Sequence, residues 1–249
     1  MRVRRNILIT GASSGLGAEM ARQFAAKGRN LALCARRADR LDQLRAALLD
    51  AYPEITVSVR PLDVDDHDAV FRVFHQFSDE LGTIDRVVVN AGIGDGKPIG
   101  TGGFAVNTRV AQTNFMSALA QCEAAMEIFR AQNSGHLVVI SSLTALRGFR
   151  GGAAVYAATK AGISSLAEGI RGDMLRRPIS VTTIQPGFIR TEMNEKAGYP
   201  MMAGVEQGVR SIVHAIEREK AVANVPRWPW SVIGVAMKVT PLRLLAKFT

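Results

Sequence analysis

Short apolar runs alternate with longer amphipathic segments along most of this chain. The apolar runs, each typical of a buried strand, lie at about residues 5–10, 30–35, 55–59, 84–89, 136–140, 179–184 and 221–225. Segments with apolar residues at helical spacing lie between them, at about 15–27, 39–51, 66–81, 105–132, 153–176 and 204–219. This alternation predicts right-handed crossovers and an α/β fold, a doubly wound parallel sheet of about seven strands with helices on both faces. We expect one domain over residues 1–226, followed by a tail over residues 227–249.

Distinctive residues follow six of the predicted strands in turn. In chain order they are Gly11 to Gly17, Arg36, Asp63, Asn90, Ser142 and Pro186. In open α/β sheets, ligands bind beyond the carboxyl ends of the strands. The repetition therefore predicts a single site of dinucleotide size along that edge.

The turn after the first strand is Thr10-Gly11-Ala12-Ser13-Ser14-Gly15-Leu16-Gly17, and it opens a predicted helix. A helix N-terminus offers unpaired backbone N–H groups and a positive dipole end to an anion. We expect Gly11 to allow a tight turn, Gly15 to let a pyrophosphate approach the backbone, and Gly17 to let helix and strand pack closely. The spacing differs from G-x-G-x-x-G and lacks the Lys-Ser/Thr ending of a P-loop. On the glycines alone, a flexible Gly/Ser turn is the alternative.

Tyr156 and Lys160 lie four residues apart in a predicted helix and therefore share one face of it. A phenol ordinarily ionises at about pH 10, but a nearby ammonium favours the phenolate and lowers the phenol pKa. Tyr156 could then give a proton to a carbonyl or take one from an alcohol. Ser142, at the end of a strand, could donate a hydrogen bond to the same oxygen. A Tyr-x-x-x-Lys pair on its own is more often a surface pair, so this interpretation depends on the other motifs.

Taken together, these motifs resemble those of the short-chain dehydrogenase/reductase (SDR) family, in its single-domain type of about 250 residues. The resemblance covers about residues 4–226, with the motifs in the family's order: Thr10-Gly11-x-x-x-Gly15-x-Gly17, Asp63, Asn90-Ala91-Gly92, Asn114, Ser142, Tyr156-x-x-x-Lys160 and Pro186-Gly187. It implies a Rossmann-type fold and an oxidoreductase that transfers a hydride between a nicotinamide cofactor and a carbonyl or secondary alcohol. It also implies a homodimer or homotetramer, formed through the predicted helices at about 105–132 and 153–176.

The resemblance further implies a role for each matching catalytic residue. Tyr156 would be the catalytic acid/base, and Lys160 would hydrogen-bond the nicotinamide ribose and lower the pKa of Tyr156. Ser142, rather than Ser141, would polarise the substrate carbonyl, and Asn114 would hold a water that links Lys160 to solvent. Ser142 and Tyr156 are fourteen residues apart where the family usually has thirteen, and the loop over residues 146–152 is expected to absorb the extra residue.

Cofactor contacts are implied in the same way. Asn90 would contact the adenosine side and brace the sheet, and Asp63 with Val64 would meet the adenine. Ile189 and Thr191 would contact the nicotinamide carboxamide. The complete implied cofactor site is Gly11, Ser13, Ser14, Gly15, Leu16, Gly17, Arg36, Arg37, Asp63, Val64, Asn90, Ala91, Gly92, Tyr156, Lys160, Pro186, Gly187, Ile189 and Thr191.

The end of the second strand favours NADP(H) over NAD(H). Family members that prefer NAD carry a carboxylate there, which binds the ribose 2′-hydroxyl and repels a 2′-phosphate. Here the position is Ala35, and the guanidinium groups of Arg36 and Arg37 that follow suit a phosphate. Arg36 is the stronger candidate, and Arg37 is expected to point to solvent. Asp39, the opposing carboxylate, is expected to be the N-cap of the next helix.

Composition narrows the function classes. The chain has 249 residues, of which 47% are hydrophobic, two distant cysteines and a net charge of +9. The cysteines form neither a disulfide framework nor a zinc motif, and a reducing cytoplasm is the simple inference. The basic residues are scattered, so nucleic acid is not an expected partner, and no signal-peptide core or transmembrane run is apparent. No metal is expected either, because the four histidines are isolated in sequence and are expected at the surface or at strand edges: His67, His75, His136 and His214.

The segment after Thr191 favours a hydrophobic substrate, such as a ketone or a 3-oxoacyl compound. The resemblance implies that this segment forms a lid, which is made apolar and adaptable by Met193, Tyr199, Met201 and Met202, with Phe188 and Ile93 as further candidate pocket residues. The alternative function is an NADPH-binding sensor or scaffold without turnover. Such a protein would not need the complete set of Asn114, Ser142, Tyr156 and Lys160.

The tail beyond Pro226 is apolar and basic, runs to Phe248, and contains both tryptophans of the chain and no acidic residue. Two interpretations are open. The favoured one is that the tail packs over the substrate pocket or on a partner subunit. The other is an interfacial membrane anchor, in which aromatic, apolar and cationic residues meet lipid headgroups. Pro241 counts against a long anchor helix.

Overall fold

The computed structural model describes residues 3–194 and 201–245, which contain one seven-stranded parallel sheet. The strands are β1 (Asn6–Thr10), β2 (Asn30–Ala35), β3 (Val57–Pro61), β4 (Arg86–Val89), β5 (Gly135–Ile140), β6 (Ile179–Pro186) and β7 (Val222–Val225). Their order is β3-β2-β1-β4-β5-β6-β7, with every neighbouring pair parallel. The predicted Rossmann-type sheet is therefore confirmed. The winding direction changes between β1 and β4, which is where such sheets open a crevice for a ligand.

Helices cover both faces of the sheet. They are α1 (Gly15–Ala25), α2 (Ala38–Ala51), α3 (His67–Leu81), α4 (Phe104–Ala111), α5 (Ser117–Gln132), α6 (Ala153–Asp173), α7 (Val205–Glu217), α8 (Arg227–Val239) and α9 (Leu242–Leu245). Ile7 and Ile9 of β1 belong to the core on the α1 and α7 face, whereas Leu8 belongs to the core on the α3 and α5 face. Because both faces are covered, the central strands are apolar throughout rather than alternating.

The long helix predicted over residues 105–132 is interrupted, which corrects that expectation. A π-helical turn over Gln112–Met116 separates α4 from α5. The hydroxyl groups of Thr113 and Ser117 donate to the carboxylate of Asp65, at 2.9 and 2.6 Å. The Ser117 hydroxyl also donates to the carbonyl of Gln112 at 3.1 Å, and a side-chain bond to the backbone of this kind competes with the regular helical bond. Apolar periodicity does not reveal these contacts.

Smaller corrections concern the ends of elements. β3 was expected over residues 55–59 but spans Val57–Pro61, and α6 ends at Asp173 rather than at residue 176. Helix α2 begins at Ala38 with Arg37 as its N-cap residue, so Asp39 lies in the first turn and is not the cap. In the first turn, a carboxylate is favoured by the positive end of the helix dipole, a signal that resembles capping when only the sequence is known.

A buried ionic network joins the amino end of β4 to the end of α7, and it corrects the expectation that His136 lies at the surface or at a strand edge. His136 is fully buried on β5, where its Nδ1 accepts a hydrogen bond from Nε of Arg86 at 2.9 Å. Arg86 is itself 1% exposed and donates to Glu217 at 2.7 Å. Burial, reinforced by the neighbouring Arg86 guanidinium, holds the pKa of His136 well below its usual value, so the imidazole is neutral. Burial opposes ionisation of the neighbouring Glu219, but hydrogen bonds from Arg4 and Ser180 outweigh it and lower the pKa of Glu219 to about 2.

Candidate active site

A cavity of about 450 Å³ opens at the carboxyl ends of the strands. Its walls come from the turns that follow β1 to β6, so the six separate signals in the sequence converge on one site. All of the predicted site residues lie in the described part of the chain. Gly17 and Asn114 are not part of the cavity lining. The others line the cavity: Gly11, Ser13, Ser14, Gly15, Leu16, Arg36, Arg37, Asp63, Val64, Asn90, Ala91, Gly92, Ser142, Tyr156, Lys160, Pro186, Gly187, Ile189 and Thr191.

The glycine turn after β1 has the geometry expected of a phosphate-binding turn. Gly11 has φ +65°, a left-handed conformation that a side chain disfavours. A Cβ on Gly17 would lie 2.4 Å from the carbonyl oxygen of Gly11, so only glycine lets α1 pack this closely on the turn. Asn90 braces the other side, because its Nδ2 donates to the carbonyl of Thr10 at 2.8 Å.

The N-terminus of α1 faces this cavity. Its first turn is the uncharged sequence Gly15-Leu16-Gly17-Ala18, and Gly15 and Leu16 line the cavity wall. The first backbone N–H groups of a helix have no partner within the helix, and they lie at the positive end of its dipole. This part of the cavity therefore suits an anion such as a pyrophosphate.

Arg37 is 43% exposed, but its guanidinium group is also held at the cavity, which the sequence did not indicate. Its guanidinium group donates to the hydroxyl of Ser13 at 3.0 Å and to the hydroxyl of Ser14 at 2.6 Å. Arg36 also lines the cavity and is exposed. Both guanidinium groups and both hydroxyl groups therefore stand at the end of β2, where a 2′-phosphate was predicted to bind.

Glu192 was missed by the sequence analysis and contacts the same arginine from across the cavity. Its carboxylate accepts hydrogen bonds from Arg40 at 2.8 and 3.1 Å and from Arg37 at 3.4 Å. The bond from Arg40 is the main reason that the pKa of Glu192 is lowered from its ordinary value. Glu192 is 152 positions from Arg40 in the sequence, so no local spacing could have revealed the pair.

Tyr156 and Lys160 both face the cavity from α6, as their four-residue spacing predicts. The Nζ of Lys160 lies 5.7 Å from the centre of the Tyr156 ring and donates to the carbonyl of Ile140 at 2.9 Å. Burial lowers the pKa of Lys160 to about 8, against an ordinary value of 10.5. At neutral pH the group is therefore a buried cation beside a phenol, and it favours the phenolate form.

Two adjacent serines end β5 and have different environments. Ser141 donates to the carbonyl of Lys160 at 2.9 Å and also contacts Ser164, so its hydroxyl is used in holding α6. Ser142 accepts hydrogen bonds from the N–H and the hydroxyl of Thr144, at 3.1 and 2.9 Å. These two accepted hydrogen bonds orient the Ser142 oxygen and leave its hydroxyl hydrogen able to donate to a substrate oxygen. This arrangement suits the predicted polarising role.

Asn114 lies in the π-helical turn and holds the loop that follows β4. Its Oδ1 accepts from the N–H of Ile93 and its Nδ2 donates to the carbonyl of Ile93, both at 2.8 Å. A Cβ on Gly92 would lie 3.0 Å from Asn114 Oδ1 and 3.7 Å from Lys160 Nζ. Asn114 and Lys160 thus meet at Gly92, although they come from different helices. π-Helical turns of this kind are frequent at functional sites.

The wall formed by the end of β6 is supported by the tail. A Cβ on Gly187 would lie 2.3 Å from the ring of Trp230, and the Phe188 ring packs edge-on against that ring at 5.2 Å. Asn194, also missed from the sequence, fixes the following loop by donating to the carbonyl of Ile189 at 2.8 Å.

The lid residues expected from the sequence are only partly placed at the cavity. Ile93 and Met193 line it, whereas Phe188 and Met202 are outside the lining and Met201 is 59% exposed. Tyr199 and Phe248 lie outside the described residues.

Comparisons with known proteins identify the family of this chain. A family model described as short chain dehydrogenase matches residues 5–200. An uncharacterized oxidoreductase of Mycobacterium tuberculosis (strain ATCC 25618 / H37Rv) is 51% identical over 246 residues, which cover 98% of this chain and 97% of that protein. The crystal structure of levodione reductase superposes with a TM-score of 0.81 at 26% identity and covers 90% of this chain and 96% of that chain.

Two further solved structures share the fold at lower identity. One is an alcohol dehydrogenase from the archaeon Thermococcus sibiricus complexed with 5-hydroxy-NADP, with a TM-score of 0.78 at 23% identity over 88% of this chain and 94% of that chain. The other is an NAD⁺-bound xylitol dehydrogenase, with a TM-score of 0.78 at 20% identity over 88% of this chain and 96% of that chain. The same fold therefore accommodates either cofactor in its neighbours.

Proposed function

This chain belongs to the short-chain dehydrogenase/reductase family of oxidoreductases, and from that premise we propose that it is an NADP(H)-dependent carbonyl reductase or alcohol dehydrogenase. The observation that carries the proposal is that Tyr156, Lys160 and Ser142 share one cavity with the arginines at the end of β2. An acid/base group and a phosphate-binding group at one site are what hydride transfer with NADP(H) requires of the protein.

The residues of the cavity fit a phosphorylated dinucleotide. The glycine turn leaves backbone N–H groups open at the N-terminus of α1, where a pyrophosphate would be held. Arg36, Arg37 and the hydroxyl groups of Ser13 and Ser14 would hold a 2′-phosphate, because guanidinium groups bind phosphate oxygens through several charged hydrogen bonds. The cofactor, when bound, would supply or accept the hydride.

The proton is handled by the protein's own residues. In the direction of reduction, Tyr156 donates its phenolic proton to the substrate oxygen, and Ser142 donates a hydrogen bond to the same oxygen. The buried Lys160 cation, 5.7 Å from the centre of the Tyr156 ring, would stabilise the phenolate that remains. In the direction of oxidation, the same phenolate takes the proton of the alcohol.

The substrate proposed is a hydrophobic ketone, with 3-oxoacyl compounds as the leading candidates. Ile93 and Met193 line the cavity beside the polar residues, and Ile189 closes it from the end of β6. Methionine and branched aliphatic side chains offer an adaptable apolar surface. A substrate with a long apolar chain would bury more surface there than a short polar one.

The test is turnover of NADPH and NADH against ketones graded from short polar to long-chain, with Tyr156→Phe beside the wild type. We expect oxidation of NADPH that increases with chain length and falls by at least roughly 10²-fold in the variant, in line with the usual contribution of general acid catalysis. Tyr52→Phe is the matched control, because Tyr52 lies at the end of α2, outside the cavity lining. If NADPH binds but none of the ketones is turned over, the proposed enzymatic function is contradicted. The alternative function, an NADPH-binding sensor or scaffold, would then be favoured.

We also propose that two copies associate through α4, α5 and α6. An apolar groove of about 480 Å³ lies between α4, the π-helical turn and α6, and it is lined by Ile99, Ala111, Phe115, Ala154, Val155, Ala158, Thr159 and Gly162. Ile99 is 71% exposed, and a two-fold interface would bury it against the same groove of a partner. Ala158→Glu should halve the mass measured by light scattering, and an unchanged mass would contradict this interface.

A further inference from the structure

The C-terminal helices α8 and α9 have one face fixed on the domain. Trp230, Gly234 and Leu245 are buried, and Trp230 packs on the end of β6. The guanidinium Nη1 of Arg147 donates to the carbonyls of Met237, Lys238 and Thr240 at 2.8, 3.0 and 3.0 Å. These bonds satisfy carbonyl groups that the end of a helix leaves open, so the segment is a docked part of the domain.

The opposite face of this segment exposes large apolar side chains. Val232, Val235 and Val239 recur at helical spacing and are 58%, 66% and 77% exposed. Trp228, 76% exposed, stands before them, and Leu242, 65% exposed, continues the row in α9. We call these five residues the C-terminal stripe. A contiguous exposed apolar row of this kind marks an interaction surface in a globular protein.

The charged residues of α8 and α9 are all basic. Arg227, Lys238 and Arg243 are exposed on α8 and α9, and Glu219 is the last acidic residue of the whole sequence. A two-fold contact between two copies of the stripe would bring these cations against each other, because such an interface pairs one patch with itself. An anionic lipid surface instead complements both the cations and the apolar row.

We propose that the C-terminal stripe docks the protein on an anionic lipid surface, with α8 and α9 lying in the plane of the headgroups. In residues 3–194 and 201–245, no helix is long and apolar enough to cross a membrane, so the contact is peripheral. An indole ring, aliphatic side chains and flanking cations are the residue types that settle at this depth of a bilayer. Because Trp230 joins α8 to Gly187, docking would bring the cavity wall close to the lipid, where apolar molecules partition.

The test is flotation with vesicles of phosphatidylcholine alone and with about 30 mol% phosphatidylglycerol, using the wild type, Val235→Asp and Leu175→Asp. Leu175 is the matched control, because it is 80% exposed and lies after α6, away from the stripe. We expect the wild type and Leu175→Asp to float with anionic vesicles only, and Val235→Asp to bind them at least roughly fivefold less. Both substituted positions are exposed, so neither substitution is expected to disrupt the core. A melting temperature equal to that of the wild type verifies that each variant is folded.

A second pair of variants tests the cations. Lys238→Ser with Arg243→Ser should weaken binding to anionic vesicles and reduce its salt dependence, whereas Arg176→Ser with Arg177→Ser should do neither. Wild type that stays unbound, or equal binding by all variants, would overturn the proposal. If the wild type does not bind vesicles but forms a dimer that Val235→Asp dissociates, the stripe is an interface with a second copy. That outcome would also overturn the proposal.

Discussion

Replacing Lys160 by methionine should remove turnover and at the same time make the folded protein more stable. Lys160 is buried beside Tyr156, and its Nζ donates a hydrogen bond to the carbonyl of Ile140 at 2.9 Å. An ammonium in such a place has lost its hydration, and within residues 3–194 and 201–245 no carboxylate forms an ion pair with it. Methionine has a similar length and volume, so it fills the same space without carrying charge.

The size of the effect follows from the pKa of Lys160, which burial lowers from 10.5 to about 8. At about 1.36 kcal/mol per pH unit, keeping this group charged at neutral pH costs roughly 3 kcal/mol of folding free energy. Loss of the hydrogen bond to Ile140 destabilises the variant by about 1–2 kcal/mol, which offsets part of that gain. We therefore expect Lys160→Met to raise the free energy of unfolding by about 1–2 kcal/mol at neutral pH.

The pH dependence makes the reasoning testable. Between pH 8 and 10.5 the unfolded lysine is protonated and the folded one is neutral, so wild-type stability rises with pH across this window. The advantage of the variant should be complete below about pH 8 and should disappear toward about pH 10.5. Urea unfolding at several pH values measures this, with Lys27→Met as the control, because Lys27 is exposed. A less stable variant at neutral pH, or a gain that does not change with pH, would refute the burial argument.

Three further predictions concern charged or titratable groups other than Lys160. Glu192→Gln should tighten NADPH binding roughly threefold to tenfold and leave NADH unchanged, because the 2′-phosphate no longer displaces two exposed ion pairs of about 0.2–1 kcal/mol each. Isothermal titration measures the affinity for each cofactor. Glu206→Gln is the control, because Glu206 forms an exposed ion pair outside the cavity. An equal change in NADH affinity would contradict competition for the phosphate site. Arg86→Met should lower the free energy of unfolding by about 3–5 kcal/mol, since it leaves buried polar partners behind, whereas Arg210→Met should change it by less than about 0.5 kcal/mol. Because His136 is buried in its neutral form, the free energy of unfolding of the wild type should also fall as pH drops below about 6.5. Urea unfolding at several acidic pH values measures this, and a free energy that stays constant below about pH 6.5 would contradict the placement of His136.

Apolar periodicity was sufficient for the sheet and most of its helices. The short apolar runs around Ile7-Leu8-Ile9 and Val87-Val88-Val89 predicted parallel strands covered on both faces, and both segments are buried strands. Periodicity did not predict the π-helical turn at Gln112–Met116, where the hydroxyl groups of Thr113 and Ser117 bond to Asp65 from a distant part of the chain. It also failed at His136, because a histidine in a strand gives no sign of the arginine that will lie beside it.

The candidate site divides in the same way. Gly11, Gly17, Tyr156 and Lys160 were found because their roles depend on spacing within one turn or one helix, which the sequence displays directly. The contact of Glu192 with Arg37 was not found, because its members are 155 positions apart and meet only across the folded cavity.

The sequence by itself determined the architecture of this protein and the shared helix face of Tyr156 and Lys160, because strand burial, helical periodicity and the Tyr156-x-x-x-Lys160 spacing are local properties of the chain. The tertiary structure decided where Arg37 points, how Asn114 holds Ile93, and which face of the C-terminal segment is covered. Each of these depends on a partner that folding brings from a distant part of the chain. Local periodicity carries no information about such a partner, and only the packing of the sheet and its helices supplies it.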